Sequence, residues 1–276
     1  MLKWIKIDIK ASTEMKPPFF MGSMLRGALG VALKRVVCIN PKYICENCFA
    51  SKECLYFEYY EDKNVFHKFR LGMTLAPENF NFSLYLFEDA VSTLPYMLST
   101  IKKTFEEVGF GREHKIAKIS SIHANDTLVY NGADFLSLET ITPNHLEIDR
   151  FAQEVILEFT MPLRIKEANK IAGESIQLHT LINNIHSRYL QIKGEETRKL
   201  GYKVQGEIVK STLKFVDTER YSNRQRSKMN MGGLKGMLHI KGLDKQSYVY
   251  LKIGEIISAG KQTVFGLGSY TLKEVK

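Results

Sequence analysis

The chain has 276 residues, enough for one large core or two cores of ordinary domain size. Apolar residues make up 44% and charged residues 25%, the composition of a folded globular protein, and no apolar run reaches the length that would span a bilayer. With 39 Lys and Arg against 30 Asp and Glu the formal charge is +9, which favours a polyanionic partner. The opening MLKWIKIDIK alternates polar and apolar side chains and lacks the apolar core of a signal peptide, so the cytoplasm is the expected compartment.

Trp4, Ile5, Ile7 and Ile9 mark a first strand, and the loop Lys16–Phe20 leads into a helix. Leu25, Leu29, Leu33 and Val36 recur there at helical spacing. Gly22, Gly27 and Gly30 lower its propensity, which fits close packing against a sheet or an irregular helix start. Residues 38–62 form a cysteine-containing insert. A strand follows at 82–87, then a helix from about Asp89 to Val108 that buries Leu94, Met97, Leu98, Ile101, Phe105 and Val108. Gly109 and Gly111 stop it. Residues 116–122 and 127–130 read as strands joined by a hairpin-like turn, Ala124-Asn125-Asp126.

Near residue 150 the pattern restarts. Val155, Leu157 and Phe159 alternate in a strand interrupted by Pro162, and a helix runs over 175–190. Strands are expected within 203–217 and at 234–241, a helix over 246–258 and a last strand at 269–273. The fold class is therefore α+β: two tandem ferredoxin-like modules, 1–148 and 149–276, the first holding the cysteine insert.

All four cysteines fall within 17 residues, as Cys38, Cys45, Cys48 and Cys54. The Cys45–Cys48 spacing is that of a metal-binding pair, and four thiolates complete a tetrahedral site. Two disulfides fit a reducing compartment poorly. A structural zinc is preferred, with an iron–sulfur cluster as the alternative. A closed four-thiolate site clamps a loop and does not perform hydrolysis.

The positive charge is concentrated. Residues 201–241 hold nine Lys or Arg against three Asp or Glu, +6 of the total +9. Within that stretch Arg224, Arg226 and Lys228 place three cations in five residues, suited to phosphate, with Tyr221 available to stack on a base. A solvated hairpin tip is the alternative. The loop Gly260-Lys261-Gln262-Thr263-Val264-Phe265-Gly266-Leu267-Gly268 can expose backbone N–H groups to phosphate, beside the charge of Lys261. It matches neither the Walker A pattern nor the dinucleotide fingerprint.

These residues, in this order, resemble the CRISPR-associated RAMP endoribonucleases that process precursor CRISPR RNA, in a branch with a cysteine-rich insert. The resemblance rests on Phe20-Met21-Gly22-Ser23-Met24-Leu25-Arg26-Gly27-Ala28-Leu29-Gly30, the four cysteines, Thr160-Met161-Pro162-Leu163-Arg164, the segment 224–236 and the glycine loop. The family loop looks like G-x-G-x5-G-x-G-x4-G; Gly260, Gly266 and Gly268 match it, while Ser258 and Lys273 occupy the outer glycine positions. The resemblance implies metal-independent cleavage of repeat RNA, the 2′-oxygen attacking the adjacent phosphate to leave a 2′,3′-cyclic phosphate. Precursor or guide RNA is the implied partner, with CRISPR effector proteins as further candidates.

Such a reaction needs a proton acceptor, a proton donor and a cation. His179 and His186 lie seven apart on one face of a helix, with Arg188 close to His186, and His67 neighbours Lys68 and Arg70. These three histidines are the catalytic candidates. The RNA-contacting candidates are Arg188, Arg224, Arg226, Lys228, Gly260, Lys261, Gln262, Thr263, Gly266 and Gly268. The stretch between the first strand and first helix, where some family members carry catalytic groups, has no histidine. A noncatalytic RNA-binding subunit and a zinc-stabilised interaction module are the competing readings.

Overall fold

A computed structural model of the chain describes residues 1–12, 15–62, 66–111, 113–167, 169–222 and 227–275. They divide into two compact units. The first holds Trp4–Phe69 and Ala76–Asn144; the second holds His145–Lys276 together with Met1–Lys3 and Arg70–Leu75.

The first unit is built on β1 (Lys3–Ser12), α1 (Gly22–Val37), β3 (Phe82–Phe87), α2 (Leu94–Lys103), β4 (Lys118–Ala124) and β5 (Thr127–Tyr130), while β2 (Phe69–Gly72) and a short β6 (Asn144–His145) run across the unit boundary in the chain. The sheet order is β2-β3-β1-β4-β5, and β1 runs antiparallel to both β3 and β4. Period-two alternation buries Ile5, Ile7, Ile9 and Ala11 of β1. Helix α1 buries Leu25, Leu29 and Leu33 as their spacing requires, and Val36 is only half-buried. Gly30 packs against an aromatic ring and not a sheet: a Cβ there would stand 2.7 Å from Tyr60, whose ring also receives the Arg26 guanidinium at 4.5 Å.

The helix expected over 89–108 is three pieces. A 3₁₀ turn (Glu88–Thr93) precedes α2, Pro95 opens α2, and a wider π-type turn (Thr104–Val108) closes it at Gly109. The hairpin turn follows its sequence signal: Asn125 and Asp126 adopt φ of 46° and 66°, the left-handed pair of a type I′ turn.

The second unit contains β7 (Val155–Leu163), the small hairpin β8 (Lys166–Glu167) and β9 (Lys170–Ile171), then α3 (Leu178–Lys193), β10 (Glu207–Ser211) and β11 (Lys214–Val216). A hairpin of β12 (Glu219–Ser222) and β13 (Ser227–Asn230), then β14 (Gly233–Lys241), α4 (Lys245–Ile257) and β15 (Tyr270–Glu274) complete it. The order is β10-β14-β7-β15. In each sheet the first strand of the unit lies between its third and fourth principal strands, the ferredoxin-like arrangement. Strand β7 continues through Pro162, where β14 shifts register between Leu234 and Gly236 and no ladder donor is required. One face of this sheet buries Val155, Leu157, Phe159, Leu238, Ile240 and Tyr270. Leu181, Ile182 and Ile185 of α3 and Leu251 of α4 join the same core. Among the described residues no helix is long and apolar enough to cross a membrane.

Candidate functional site

Helix α3 is capped at both ends. The Glu167 carboxylate accepts from Gln177 N at 2.9 Å and from Thr180 Oγ1 at 3.0 Å, satisfying first-turn donors and facing the positive end of the helix. At the other end Gly194 is left-handed (φ 73°) and Glu195 N reaches back to Leu190 O, which turns the chain around. A cavity of about 630 Å³ lies between α3 and the returning segment. His179, Asn183 and Ser187 line it at successive four-residue steps, facing Arg198, Lys199 and Tyr202. Arg198 and Lys199 are exposed, and Tyr202 stacks on Tyr250 with ring centres 6.3 Å apart and planes 9° apart. His179 also borders a second cavity of about 360 Å³ with Gln177 and Val204. The cavity thus gathers an imidazole, an amide, a hydroxyl, two cations and an aromatic ring.

The two histidines of α3 are in different situations. His179 is exposed and its Nε2 lies 2.6 Å from Asn183 Nδ2. The amide donates to the neutral ring, or with its oxygen turned inward accepts from the protonated ring, so Asn183 can hold either state. His186 is buried, with Nδ1 2.9 Å from Tyr250 Oη and Nε2 3.1 Å from Arg198 O. A carbonyl only accepts, so Nε2 carries the proton and Nδ1 accepts from the phenol. Both nitrogens are engaged, and His186 anchors the segment that presents Arg198. His67, in the first unit, donates from Nδ1 to Glu58 O at 3.1 Å and packs 5.9 Å from the Phe69 ring.

Arg188 does not face solvent. It is 5% exposed, its Nε donates to Ile257 O at 2.8 Å, and burial, then the nearby positive charge of Arg70, pull its pKa well below the usual guanidinium value. Arg70, equally buried, reaches Ile256 O at 2.5 Å and Glu255 O at 3.4 Å. The two guanidinium groups therefore serve the last carbonyls of α4, where cations are favoured. Arg188, expected from the sequence to meet RNA, is therefore placed inside the protein.

The glycine loop follows directly. Gly260 N donates to Asn184 Oδ1 at 2.6 Å, Lys261 N to Arg164 O at 2.7 Å and Gly268 N to Pro162 O at 2.9 Å. Ala259 N donates to Gly268 O at 3.0 Å, and Phe265 N and Gly266 N close turns on Gln262 O and Thr263 O. These backbone donors, expected to meet phosphate, are held inside the protein. At Gly268 (φ 73°) a Cβ would collide with the Ala259 carbonyl, so that glycine is required by packing. Thr263 is buried, Gln262 is left-handed and half-buried, and Lys261 is exposed.

Arg224 and Arg226 lie outside the described residues. Lys228 belongs to β13, its backbone opposite Tyr221 of β12. The cysteine segment is organised by Asn40: its side chain donates to Ile44 O at 2.9 Å and accepts from Lys42 N at 3.0 Å, with Cys38 and Cys48 sulfurs at 3.7 and 3.6 Å from its polar atoms. The four thiols are half-buried and free. Among the described residues no three Cys, His, Asp or Glu side chains come together in a way that would hold a metal.

Sequence reasoning missed Asn183, Ser187, Arg198, Lys199 and Tyr202. Two signals pointed to them: the four-residue step from His179, and Gly194, a helix stop that folds the following Arg and Lys back over the same face.

Comparison with known proteins gives two family matches. Residues 2–145 match the AF_1859_N model, an N-terminal domain, and residues 157–270, which include the whole α3 cavity, match the model of the CRISPR-associated endoribonuclease Cas6. An uncharacterized protein of Archaeoglobus fulgidus is 23% identical over 93% of this chain and 92% of its own length. Among solved structures, a Cas6 product complex superposes with a TM-score of 0.59 at 12% identity, covering 99% of both chains. Thermus thermophilus Cas6 gives 0.56 at 11% identity, over 99% of this chain and 98% of its own. The product of a Cas6-related gene from Pyrococcus furiosus gives 0.51 at 15% identity, over 99% and 100%. At these identities the structural likeness is one of fold. The AF_1859_N match takes in more than half of the chain, so the chain belongs to the AF_1859_N family, and its residues 157–270 carry the similarity to the CRISPR-associated endoribonuclease Cas6.

Proposed function

We propose that this protein is an RNA-processing endoribonuclease that cuts CRISPR repeat RNA without a metal ion and releases guide RNA. The observation that carries this reading is the α3 cavity, where His179, Arg198, Lys199 and Tyr202 meet within the part of the chain matched by the Cas6 model. In the proposed reaction the 2′-oxygen bonds to phosphorus as its proton passes to a base. The bond to the 5′-oxygen breaks as that oxygen takes a proton, leaving a 2′,3′-cyclic phosphate. His179, held in either protonation state by Asn183, transfers protons; Arg198 and Lys199 meet the charge on the phosphate oxygens; Tyr202 stacks on a base. His186 is a positioning residue that sets Arg198 through its carbonyl.

The test is incubation of the full chain with its repeat RNA in EDTA, followed by identification of product ends. A 2′,3′-cyclic phosphate at one site, lost by ~10²-fold or more in His179→Ala with RNA binding retained, is the expected result. Tight binding without cleavage would overturn it in favour of a noncatalytic RNA-binding subunit. His67→Ala as the inactive variant would move the chemistry to the first unit. Zinc on Cys38, Cys45, Cys48 and Cys54 would require the thiols to draw together, and one zinc per chain by elemental analysis would establish it.

A further inference from the structure

Residues 195–205, which supply Arg198, Lys199 and Tyr202 to the α3 cavity, belong to no helix or strand. Side chains of α3 and α4 hold them instead. His186 Nε2 donates to Arg198 O at 3.1 Å, and the Ser247 hydroxyl receives Gln205 N at 3.3 Å and lies 3.4 Å from Tyr202 Oη. Ser247 is itself fixed, because its N–H donates to the α4 cap at Asp244 Oδ1, 3.1 Å away.

Tyr250 joins these tethers, although it is not one of the residues lining the cavity. It stands three residues after Ser247, on the same face of α4. Its hydroxyl donates to His186 Nδ1 at 2.9 Å, with the two rings edge to face, centres 5.3 Å apart and planes at 89°. Its ring also carries the nearly parallel ring of Tyr202, 6.3 Å away. Burial, then the neighbouring Tyr189, push the Tyr250 pKa above the ordinary phenol value, so the hydroxyl keeps the proton it donates. Close approach of the two helices sets this geometry. One turn further along α4, a Cβ at Gly254 would stand 2.6 Å from Ile185, the neighbour of His186.

We infer that Tyr250 is the positioning residue of the α3 cavity: its hydroxyl fixes the orientation of the His186 ring, and through it Arg198, while its ring seats Tyr202. Without the phenol, Nδ1 loses its donor and the imidazole can turn about Cβ–Cγ, carrying the Nε2 proton away from the Arg198 carbonyl. Arg198 would then meet the phosphate charge from the wrong place. The effect on cleavage rests on the proposed function; the effect on His186 and Tyr202 does not.

The experiment compares the full chain with Tyr250→Phe and Tyr250→Leu, by NMR of the labelled histidine nitrogens and by single-turnover cleavage at saturating repeat RNA. In the parent, His186 is expected to show a slowly exchanging proton on Nε2 and a bare Nδ1. In Tyr250→Phe that proton should exchange roughly fivefold faster. The cleavage rate should fall ~10-fold in Tyr250→Phe while RNA affinity stays within about twofold, the split expected of a group that acts in the transition state. The same substitution in an Arg198→Ala background should cost no further rate, because the group being positioned is gone. Tyr250→Leu, which also removes the stack on Tyr202, should in addition weaken RNA binding by roughly threefold or more. A proton on Nδ1 in the parent, unchanged exchange or cleavage in Tyr250→Phe, or an undiminished effect in the Arg198→Ala background would overturn the inference. If the parent itself does not cleave, the proposed function fails, and the inference stands or falls on the His186 exchange rate and the Tyr250→Leu affinity.

Discussion

The glycine-rich loop and the rim of the α3 cavity lie in the same unit, and both carry the residue types that phosphate recognition calls for. They differ in where their hydrogen-bond donors go. In the loop, the N–H groups of Ala259, Gly260, Lys261, Phe265, Gly266 and Gly268 end on protein acceptors. On the rim, Arg198 and Lys199 are exposed, and the Arg198 side chain pairs with Glu195 at 3.2 Å, a surface pair. The loop is a packed end to α4, and the rim is an open surface. Donors already paired inside a protein cost as much to free as a new ligand would return, so a glycine-rich sequence is not by itself an anion site.

The largest expected effect comes from breaking the loop as a packing device. Gly268→Ala places a Cβ against the Ala259 carbonyl at φ 73° and should lower stability by ~4 kcal/mol or more, measurable by denaturant unfolding. If Gly268→Ala folded normally and lost only RNA affinity, the loop would be a ligand site after all. Arg188→Ala should come next, removing a charged donor from the α4 end and lowering stability by ~2 kcal/mol. A variant as stable as the parent would show that the carbonyls of α4 do not need this cation.

The rim is sharpened by a binding measurement. Arg198→Ala with Lys199→Ala should weaken RNA binding by about tenfold and lower the slope of log affinity against log salt by roughly 1–2, while leaving unfolding nearly unchanged. An unaltered salt slope would remove the cavity from the RNA path.

The smallest effect is expected at Ser258, which is fully buried with φ 64° and ψ 163°, a region populated almost only by glycine. It occupies an outer glycine position of the family loop pattern. Ser258→Gly should raise stability by up to ~1 kcal/mol, the relief of backbone strain exceeding the loss of the 3.1 Å contact between the Ser258 and Ser269 hydroxyls. A drop in stability would make that hydroxyl pair the stronger term.

Much of the architecture was legible because it is written in local periodicity. Ile5, Ile7 and Ile9 alternate, Leu25, Leu29 and Leu33 step around a helix, and Asn125-Asp126 needs no distant partner to turn left-handed. The breaks in the helix after Asp89 were less visible, since 3₁₀, α and π-type turns share nearly the same apolar spacing. Arg188 and Arg198 show where local reading stops. Both are arginines near His186 in sequence, yet one is sealed under the end of α4 beside Arg70 and the other stands open at the rim of the cavity. Composition and periodicity alone determined a basic chain of two α+β units, because charge and the turn-by-turn burial pattern are properties of short segments. The tertiary structure decided which polar groups remain available to a ligand, because that depends on partners contributed from distant parts of the chain: the Tyr250 hydroxyl for His186, the Ile257 carbonyl for Arg188 and the Arg164 carbonyl for Lys261.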